Sequence, residues 1–492
     1  MANADTAAAS QAPPLALGPR LNLSVMMFLE FAVWGAWFSV LGNRLTAMGL
    51  SDSIGRIFGT MALGTIVAPL FIGQVADRYF SSEKLMALLH LIGAGLLYWM
   101  AAIPPVVDRD PALVAATASK FYWIALTYAL IYSPTLALSN SIAFTHVPDG
   151  TRDFPGLRVL GTIGWIAAGM TVGLVLPMFF GDSKISNGPL LLAAGLSALL
   201  GIYSFLLPHT PPKGKAGEAL PFLRAVRLLR EPSFAVFFGV SFIITIVLAF
   251  YYNYTGLYLE KHLGVRDVAS TMTIGQWSEM LLLPFLPVFL RRMGMKWVLA
   301  MGMLAWGLRY GLFALGGSYA VGAFYWPIIL CLTLHGVCYD FFFAAGFIHV
   351  DNESPSDIKG SAQALFVFLT YGLAMWLGSE LSNVVFDKTT RMEPVAVESK
   401  AVVVRDWTFA TGWVDYAVTN QSNDKTPVTD WMRFWSVPSI GVLIALLLFV
   451  AFFRLRTAGV GADKEGGWKS SGDVYSEEHQ SHIPSGEAGV DA

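Results

Sequence analysis

The sequence predicts an all-α polytopic membrane protein with about twelve transmembrane helices. Hydrophobic side chains make up 55% of the 492 residues and charged side chains only 13%, whereas charged residues reach about 25% in soluble proteins. About twelve segments stay apolar over the roughly 20 residues that a helix needs to cross a bilayer. They fall near residues 21–44, 54–76, 83–104, 119–143, 157–179, 188–207, 234–258, 269–290, 297–317, 324–349, 360–385 and 434–454.

A basic, proline-containing stretch at residues 209–233 divides these segments into six and six. The loop after the fourth segment, AFTHVPDGTRDFPGLRVLGTIGW, is similar to the loop after the tenth, GFIHVDNESPSDIKGSAQALFVF. Paired halves with a substrate site between them are common in secondary transporters. Two related six-helix halves would explain the similarity. The short, polar character of all cytoplasmic loops is the alternative explanation.

The composition also predicts the domain boundaries. The N-terminal residues are rich in Ala and Pro and lack the basic start of a cleavable signal peptide. The C-terminal residues are rich in Gly, Ser and acidic side chains, which is typical of a disordered tail. We expect a disordered N-terminus (1–20), an N-terminal six-helix bundle (21–208), a linker (209–233), a C-terminal six-helix bundle (234–456) with an external insertion (386–433), and a disordered tail (457–492).

Partial alternation of apolar and polar residues within the insertion, AVVVRDWTFATGWVDYAV, is compatible with a small external hairpin. No function is assigned to it from the sequence.

Basic residues in the loops predict that both termini face the cytoplasm, because cytoplasmic loops carry an excess of Lys and Arg. The basic residues on the side of the termini include those of the linker and Arg78, Lys84, Arg152, Arg291, Arg292 and Lys296. The opposite short loops hold fewer, such as Lys184 and Lys261. The long insertion holds more, but long translocated segments largely escape this rule.

Several classes of function are disfavoured. The formal net charge is -2 and the basic residues form no single patch, so no nucleic-acid partner is expected. The phosphate-binding pattern G-x-x-x-x-G-K-[ST] of an ATP-driven pump is missing from the sequence. The eight histidines are dispersed and do not follow the spacing of zinc ligands. We therefore expect a transporter rather than an enzyme, with no metal site.

The stretch GQVADRYFSSEKLM (73–86) resembles the loop between helices two and three of the major facilitator superfamily. Further stretches in both halves resemble the nucleoside:proton symporter family within that superfamily. They are LEFAVWGAW (29–37), YSPTLALSN (132–140), DFPGLRVLGTIG (153–164), QWSEMLLLPFLPVFLRRMG (276–294), WGLRYGLFALG (306–316), YDFF (339–342), SPSDIKGSAQALF (354–366) and TDW with Trp435 (429–435). The resemblance implies the major facilitator fold and a bacterial inner membrane. Asp77 and Arg78 of this loop, like Arg309, are candidate charge partners or gating residues.

Asp340 lies in the apolar run LHGVCYDFFFAAGF (334–347), about 3 Å along the helix axis from the middle of its segment. An Asp at the centre of a transmembrane helix costs about 2.5 to 3.5 kcal/mol, so such residues usually face a cavity or a partner. Because proton binding removes that charge, Asp340 is a candidate for proton coupling. The structural alternative is an ion pair with the equally central Arg309. An ion pair that breaks when Asp340 binds a proton would serve both the structural role and proton coupling.

Gln276 and Glu279 lie three residues apart in QWSE and therefore share one helix face. From spacing alone, this face meets either a polar ligand or a neighbouring helix. In the resembled family, the matching Gln and Glu help to bind the nucleoside. The matching Glu and the aspartate of YDFF are implicated there in proton coupling.

Arg158, Thr162 and Trp165 fall at i, i+4 and i+7, a stripe that offers a cation, a hydroxyl and an aromatic face. A nucleoside can use all three, since stacking of a base on an aromatic ring is worth about 1 to 3 kcal/mol. The alternatives are that Arg158 snorkels toward the cytoplasm and that Trp165 is a packing residue. His335 and Tyr339 share another face, where His335 is either a hydrogen-bonding group at the substrate or a packed core residue.

Several positions depart from the family pattern. The family carries Tyr and Phe at the positions of His335 and Tyr339, and Phe at the position of Trp165. Its polar pair on the seventh helix falls near AFYYN (249–253), where the replacements are Tyr251, Tyr252 and Asn253. The base preference of the substrate site is therefore open.

Glu30 stands where the family carries glutamine. It is either a further proton site or the partner of a cation such as Arg309. Taken together, the sequence predicts a monomeric secondary transporter that imports nucleosides with protons, with the proton as coupling ion and no other cofactor. The alternatives are a major facilitator carrier for another hydroxylated solute, such as a sugar, and a membrane sensor that uses the same fold without transport.

Overall fold

The computed structural model describes residues 13–71, 79–106, 110–212, 221–355, 358–394, 402–418 and 425–454. Most of these residues are helical, because a segment inside a bilayer must satisfy its backbone hydrogen bonds internally. The predicted all-α membrane class is confirmed.

The helices before the linker are α1 (Leu17–Gly35), α2 (Leu41–Ala47), α3 (Ile54–Phe71), α4 (Ser82–Ala101), α5 (Pro111–His146), α6 (Gly150–Met170), α7 (Pro177–Phe180) and α8 (Gly188–Tyr203). Those after it are α9 (Pro232–Lys261), α10 (Val268–Leu282), α11 (Leu286–Gly317), α12 (Tyr325–Leu332), α13 (Leu334–Tyr339), α14 (Ala345–Glu353), α15 (Lys359–Val367), α16 (Met375–Thr389) and α17 (Trp431–Phe452). Three π-helical turns interrupt these helices at Thr171–Val175, Asp340–Ala344 and Phe368–Ala374.

Within the described ranges, nine helical runs are long and apolar enough to cross a membrane, or ten if the bent pair Tyr325–Leu332 and Leu334–Glu353 counts as one span. The predicted eighth and ninth segments lie in one run, Val268–Gly317, that turns at Gly294 with a φ of 75°. The predicted second segment is described only as far as Phe71. The first helix begins at Leu17 rather than near residue 21, and the count of twelve spans stays a prediction.

The helices pack into two bundles, which we call the N-terminal bundle (α1–α8) and the C-terminal bundle (α9–α17). In the N-terminal bundle α1 packs against α6 and α8, while α5 packs against α3 and α4. In the C-terminal bundle α17 packs against α9 and α11, and α13 packs against α10 and α11. The bundles meet where α3 contacts α16 and α6 contacts α10. Gly55 there lies directly against the backbone of Ser379, an approach that a side chain would block.

The described residues between α16 and α17 include four short strands: β1 (Thr390–Pro394), β2 (Val402–Thr408), β3 (Gly412–Val418) and β4 (Lys425–Thr429). β1 pairs antiparallel with β4, and β2 pairs antiparallel with β3. Gly412 ends the β2–β3 turn with a φ of 66°, a left-handed conformation that favours glycine. The hairpin that the sequence allowed is therefore present at residues 402–418.

Candidate functional site

A cavity of about 340 Å³ lies between the two bundles, near the lower end of the roughly 300 to 1,000 Å³ that small-molecule sites occupy. Every residue that the sequence predicted for substrate binding lines it: Arg158, Thr162, Trp165, Tyr252, Asn253, Gln276, Glu279, His335 and Tyr339. These residues come from four helices in both bundles. The structure thus brings together side chains that are up to 181 positions apart in the sequence (158 to 339).

The N-terminal bundle contributes an aromatic wall. Phe31, Trp34 and Phe38 from the first span line the cavity beside Trp165 of α6. The rings of Trp34 and Trp165 meet edge to face, with centroids 5.3 Å apart. Phe31, Trp34 and Phe38 were not among the predicted site residues, although their i, i+3, i+7 spacing is typical of a single helix face.

Three residues that line this cavity have a buried polar atom with unused hydrogen-bonding capacity. The amide oxygens of Gln276 and Asn140 and the indole nitrogen of Trp34 are buried, and none has a hydrogen-bond partner among the described residues. Arg158 holds its guanidinium 4.1 Å from the ring centroid of Phe31. A buried polar group without a partner carries a free-energy penalty, so a ligand that supplies partners is stabilised here.

A chain of polar contacts leads from the C-terminal bundle to the cavity. Arg309 is fully buried, and its Nη1 atom donates a hydrogen bond of 2.9 Å to Nδ1 of His335. Because a guanidinium only donates, Nδ1 must accept, and the ring of a neutral His335 carries its hydrogen on Nε2. That Nε2 atom lies 4.0 Å from Oε2 of Glu279. Arg309 therefore orients His335 toward the cavity, and it does not form the ion pair with Asp340 that the sequence left open.

Asp340 begins the π-helical turn at Asp340–Ala344, a geometry that is frequent at functional sites. Its side chain is buried, and Oδ2 has no hydrogen-bond partner among the residues that the structure describes. It does not line the cavity, but the preceding residue, Tyr339, does. The Tyr339 hydroxyl lies 2.7 Å from the hydroxyl of Tyr371, a cavity residue that was not predicted from the sequence. Asp340 thus lies directly behind the cavity wall.

Glu30 is fully buried in the N-terminal bundle and does not itself line the cavity, although the next residue, Phe31, does. Its Oε2 atom lies 2.8 Å from Nε2 of His90, and its Oε1 atom accepts a hydrogen bond of 2.7 Å from Thr135. Arg309 as its partner is therefore wrong, because that residue belongs to the other bundle and contacts His335. The predicted gating residues Asp77 and Arg78 lie outside the described residues.

Comparisons with known proteins agree on one family. The sequence profile of the nucleoside H+ symporter family matches residues 17–458. The putative nucleoside transporter YegT of Escherichia coli (strain K12) is 38% identical over 440 residues, which cover 88% of this chain and 93% of that protein. The xanthosine permease of the same organism is 30% identical over 386 residues, covering 75% of this chain and 88% of that protein.

Solved structures agree with the sequence relatives. The crystal structure of the nucleoside transporter NupG matches with a TM-score of 0.70 at 26% identity, covering 89% of this chain and 99% of that chain. A D-xylose-proton symporter matches with a TM-score of 0.63 at 13% identity, covering 89% of this chain and 98% of that chain, and this likeness extends to the fold alone. The chain is therefore an integral membrane protein with a major facilitator fold, a transporter and not an enzyme, and it belongs to the nucleoside H+ symporter family.

Proposed function

We propose that this protein imports nucleosides together with protons by alternating access of its two bundles around the central cavity. Membership of the nucleoside H+ symporter family supports the substrate class and the coupling ion. Relatives named xanthosine permease and nucleoside permease support the same substrate class. The observation that carries the location of the site is the convergence of the predicted binding residues on one cavity between the bundles.

The cavity suits a neutral, hydroxylated solute with an aromatic base. Trp34 and Trp165 offer aromatic surface to the base, and stacking on such a ring is worth about 1 to 3 kcal/mol. Gln276, Glu279 and Arg158 offer hydrogen-bonding groups to the ribose hydroxyls and the base edge. Each of these polar groups would gain a partner from the bound nucleoside.

Asp340 and Glu279 are the proposed proton sites. Glu279 lines the cavity, so the substrate can sense its protonation directly. Asp340 lies behind the cavity wall, and a proton removes the charge of a carboxylate whose Oδ2 atom has no hydrogen-bond partner among the described residues. One proton moving through 100 mV supplies about 2.3 kcal/mol, which sustains roughly fiftyfold accumulation of a neutral solute.

The loop charges support an orientation. The linker at 209–233 is basic, which supports cytoplasmic termini and a β2–β3 hairpin on the outer side of the membrane. The bacterial relatives support an inner-membrane location. We further propose that a monomer is the working unit, with bundles at 21–208 and 234–456.

The test is uptake of labelled uridine and adenosine into proteoliposomes that contain only this protein, with and without an inward proton gradient. The proposal predicts accumulation above the outside concentration only when the gradient is present, without inhibition by excess xylose. If the inside and outside nucleoside concentrations become equal whether or not the gradient is present, proton coupling is wrong. Competition by sugars would favour a sugar carrier, and the lack of any flux in a folded preparation would favour a sensor.

A further inference from the structure

The β2–β3 hairpin at residues 402–418 plays no part in the proposed binding site, yet it makes specific contacts across the protein. It extends from the C-terminal bundle, between α16 and α17. Its far face docks on the N-terminal bundle. Four residues of that bundle contact the hairpin: Arg44, Tyr98, Phe180 and Asn187.

An ion pair lies at the centre of this docking contact. The carboxylate of Asp406 on β2 receives two hydrogen bonds from Arg44 on α2, Nη2 to Oδ2 at 2.7 Å and Nη1 to Oδ1 at 3.2 Å. The backbone N–H of Asn187 donates a third bond, of 2.9 Å, to Oδ1. Arg44 and Asp406 are 2% and 4% exposed. A paired, fork-shaped contact of this kind fixes geometry as well as charge.

Neutral contacts surround the ion pair. The side chain of Asn187 donates a hydrogen bond of 2.9 Å to the carbonyl of Trp407 and accepts one of 3.2 Å from its N–H. The N–H of Phe409 donates a bond of 2.9 Å to the hydroxyl of Tyr98 on α4. The rings of Trp413 and Phe180 meet with centroids 5.1 Å apart. The hairpin is therefore held by backbone, side-chain and aromatic contacts together.

The same end of the molecule carries other bonds between the bundles. Asn43, the neighbour of Arg44, donates to the carbonyl of Gly256 at 3.1 Å on α9. Asn383 on α16 accepts from the N–H of Gly55 at 2.9 Å and donates to the carbonyl of Asp52 at 2.8 Å. In this conformation the two bundles are therefore in contact at the hairpin end.

We propose that the β2–β3 hairpin is a strap that fastens the two bundles together at this end, with the Arg44–Asp406 pair as its fastening. The inference rests on the alternating access of the proposed function, because opening this end requires the bundles to separate. Each cycle then has to release the pair. The strap favours the conformation that is closed at the hairpin end, since opening breaks the charge-assisted, two-pronged hydrogen bonds of this pair together with the contacts around it.

The test is a distance measurement between spin labels on Ala112→Cys and Ala320→Cys, two exposed positions beside the hairpin end of the N-terminal and C-terminal bundles. The native cysteines Cys331 and Cys338 are buried, so the introduced ones take the label. Asp406→Asn removes the charge and keeps the shape of the side chain. In nanodiscs, we expect the fraction of full-length protein with the longer label-to-label distance, which is the open population, to be at least threefold larger for Asp406→Asn than for the parent.

Two further variants make the result decisive. Asp415→Asn changes an exposed carboxylate of the same hairpin, which pairs with Arg405 on the neighbouring strand, and should leave the distances unchanged. Asn187→Ala removes the side-chain hydrogen bonds to Trp407 without leaving a buried charge, and should shift the distances in the same direction. This variant replaces Asp406→Asn in the test if Asp406→Asn fails to fold.

Unchanged distances in folded Asp406→Asn and Asn187→Ala proteins would overturn the strap. Since this readout needs no substrate, it is separate from the proposed function. If the distances shift in the variants but the parent protein takes up no nucleoside, the strap is supported and the proposed function is wrong. If the parent takes up nucleosides but the distances do not shift, the proposed function is supported and the strap is wrong.

Discussion

Glu30 and Asp340 are both buried carboxylates inside the membrane, one in each bundle, but their surroundings differ. Glu30 has both oxygens in contact with partners, His90 at 2.8 Å and Thr135 at 2.7 Å. Asp340 has an oxygen without a hydrogen-bond partner among the described residues, and it lies within a π-helical turn. A buried carboxylate whose hydrogen bonds are all formed is held in one arrangement. A buried carboxylate without partners is costly in its charged form, so it tends to bind a proton or a ligand.

The comparison separates two roles that the sequence could not tell apart. Each carboxylate stands out as an acid within an apolar helix, and each was a candidate proton site. The structure assigns Glu30 a partner within its own bundle, so its network need not change when the bundles move. Each also lies one residue from the cavity wall, Glu30 beside Phe31 and Asp340 beside Tyr339. What distinguishes Asp340 is an oxygen without a hydrogen-bond partner among the described residues, which leaves it available for a proton beside the substrate.

The largest effect is expected for Asp340→Asn. The amide is nearly the same size but cannot carry the proton, so gradient-driven accumulation should fall from roughly fiftyfold at 100 mV to equilibration. Exchange of labelled for unlabelled uridine across the membrane should persist. Uphill uptake at the parent level in this variant would remove Asp340 as an essential proton carrier.

A large but smaller effect is expected for Glu279→Gln, since this residue lines the cavity. Loss of a hydrogen bond to a charged group costs about 1.5 to 3 kcal/mol, which corresponds to a rise in KM of about 10- to 100-fold. Initial uptake rates over a range of uridine concentrations measure it. A KM within about twofold of the parent, a difference of about 0.4 kcal/mol, would place Glu279 outside the binding contacts.

A modest effect is expected at Glu30. Glu30→Gln retains an oxygen acceptor for Thr135 and should keep gradient-driven accumulation, in keeping with the glutamine that the family carries here. Glu30→Ala leaves His90 and Thr135 without their buried hydrogen-bond partner. Each unsatisfied group costs about 1 to 3 kcal/mol, so the thermal unfolding midpoint should fall clearly. Loss of accumulation in a stable Glu30→Gln protein would show that this carboxylate also carries protons.

The smallest effect is expected for the exposed carboxylate of Asp415. The hydrogen bond from Arg405 lowers the pKa of this group. Its contribution to stability is therefore complete above the unfolded value of about 3.9 and is lost as the pH falls through the folded pKa. At neutral pH, Asp415→Asn should leave uptake unchanged and the thermal midpoint within experimental scatter, because exposed ion pairs contribute little. A large loss of stability would mean that the hairpin depends on this pair.

Much of the cavity could be predicted because its residues follow simple helical spacing. The pair Gln276 and Glu279 at i, i+3 and the stripe from Arg158 to Trp165 mark faces that a single helix presents together. Spacing within one helix did not predict which faces meet across the two bundles, and in the structure these two faces line the same cavity. Phe31 and Phe38 were missed because aromatic residues on a membrane helix usually face lipid or pack.

Pairing between distant residues could not be predicted. His90 as the partner of Glu30 depends on how α4 packs beside α1, and no local pattern encodes that approach. Arg309 and Asp340 are both central in their segments, which made an ion pair reasonable, but helix rotation directs Arg309 to His335 instead. Arg44 and Asp406 are 362 positions apart, and their contact joins the insertion to the opposite bundle. The sequence could not predict this contact either.

The most direct test of coupled transport through Asp340 is proton flux itself. Proteoliposomes loaded with a pH-sensitive dye, and given no preformed proton gradient, would receive uridine on the outside. The parent protein should acidify the lumen as uridine enters, and Asp340→Asn should not, although it still exchanges uridine. Equal acidification by both proteins would contradict the account, because the proton would then travel without this carboxylate.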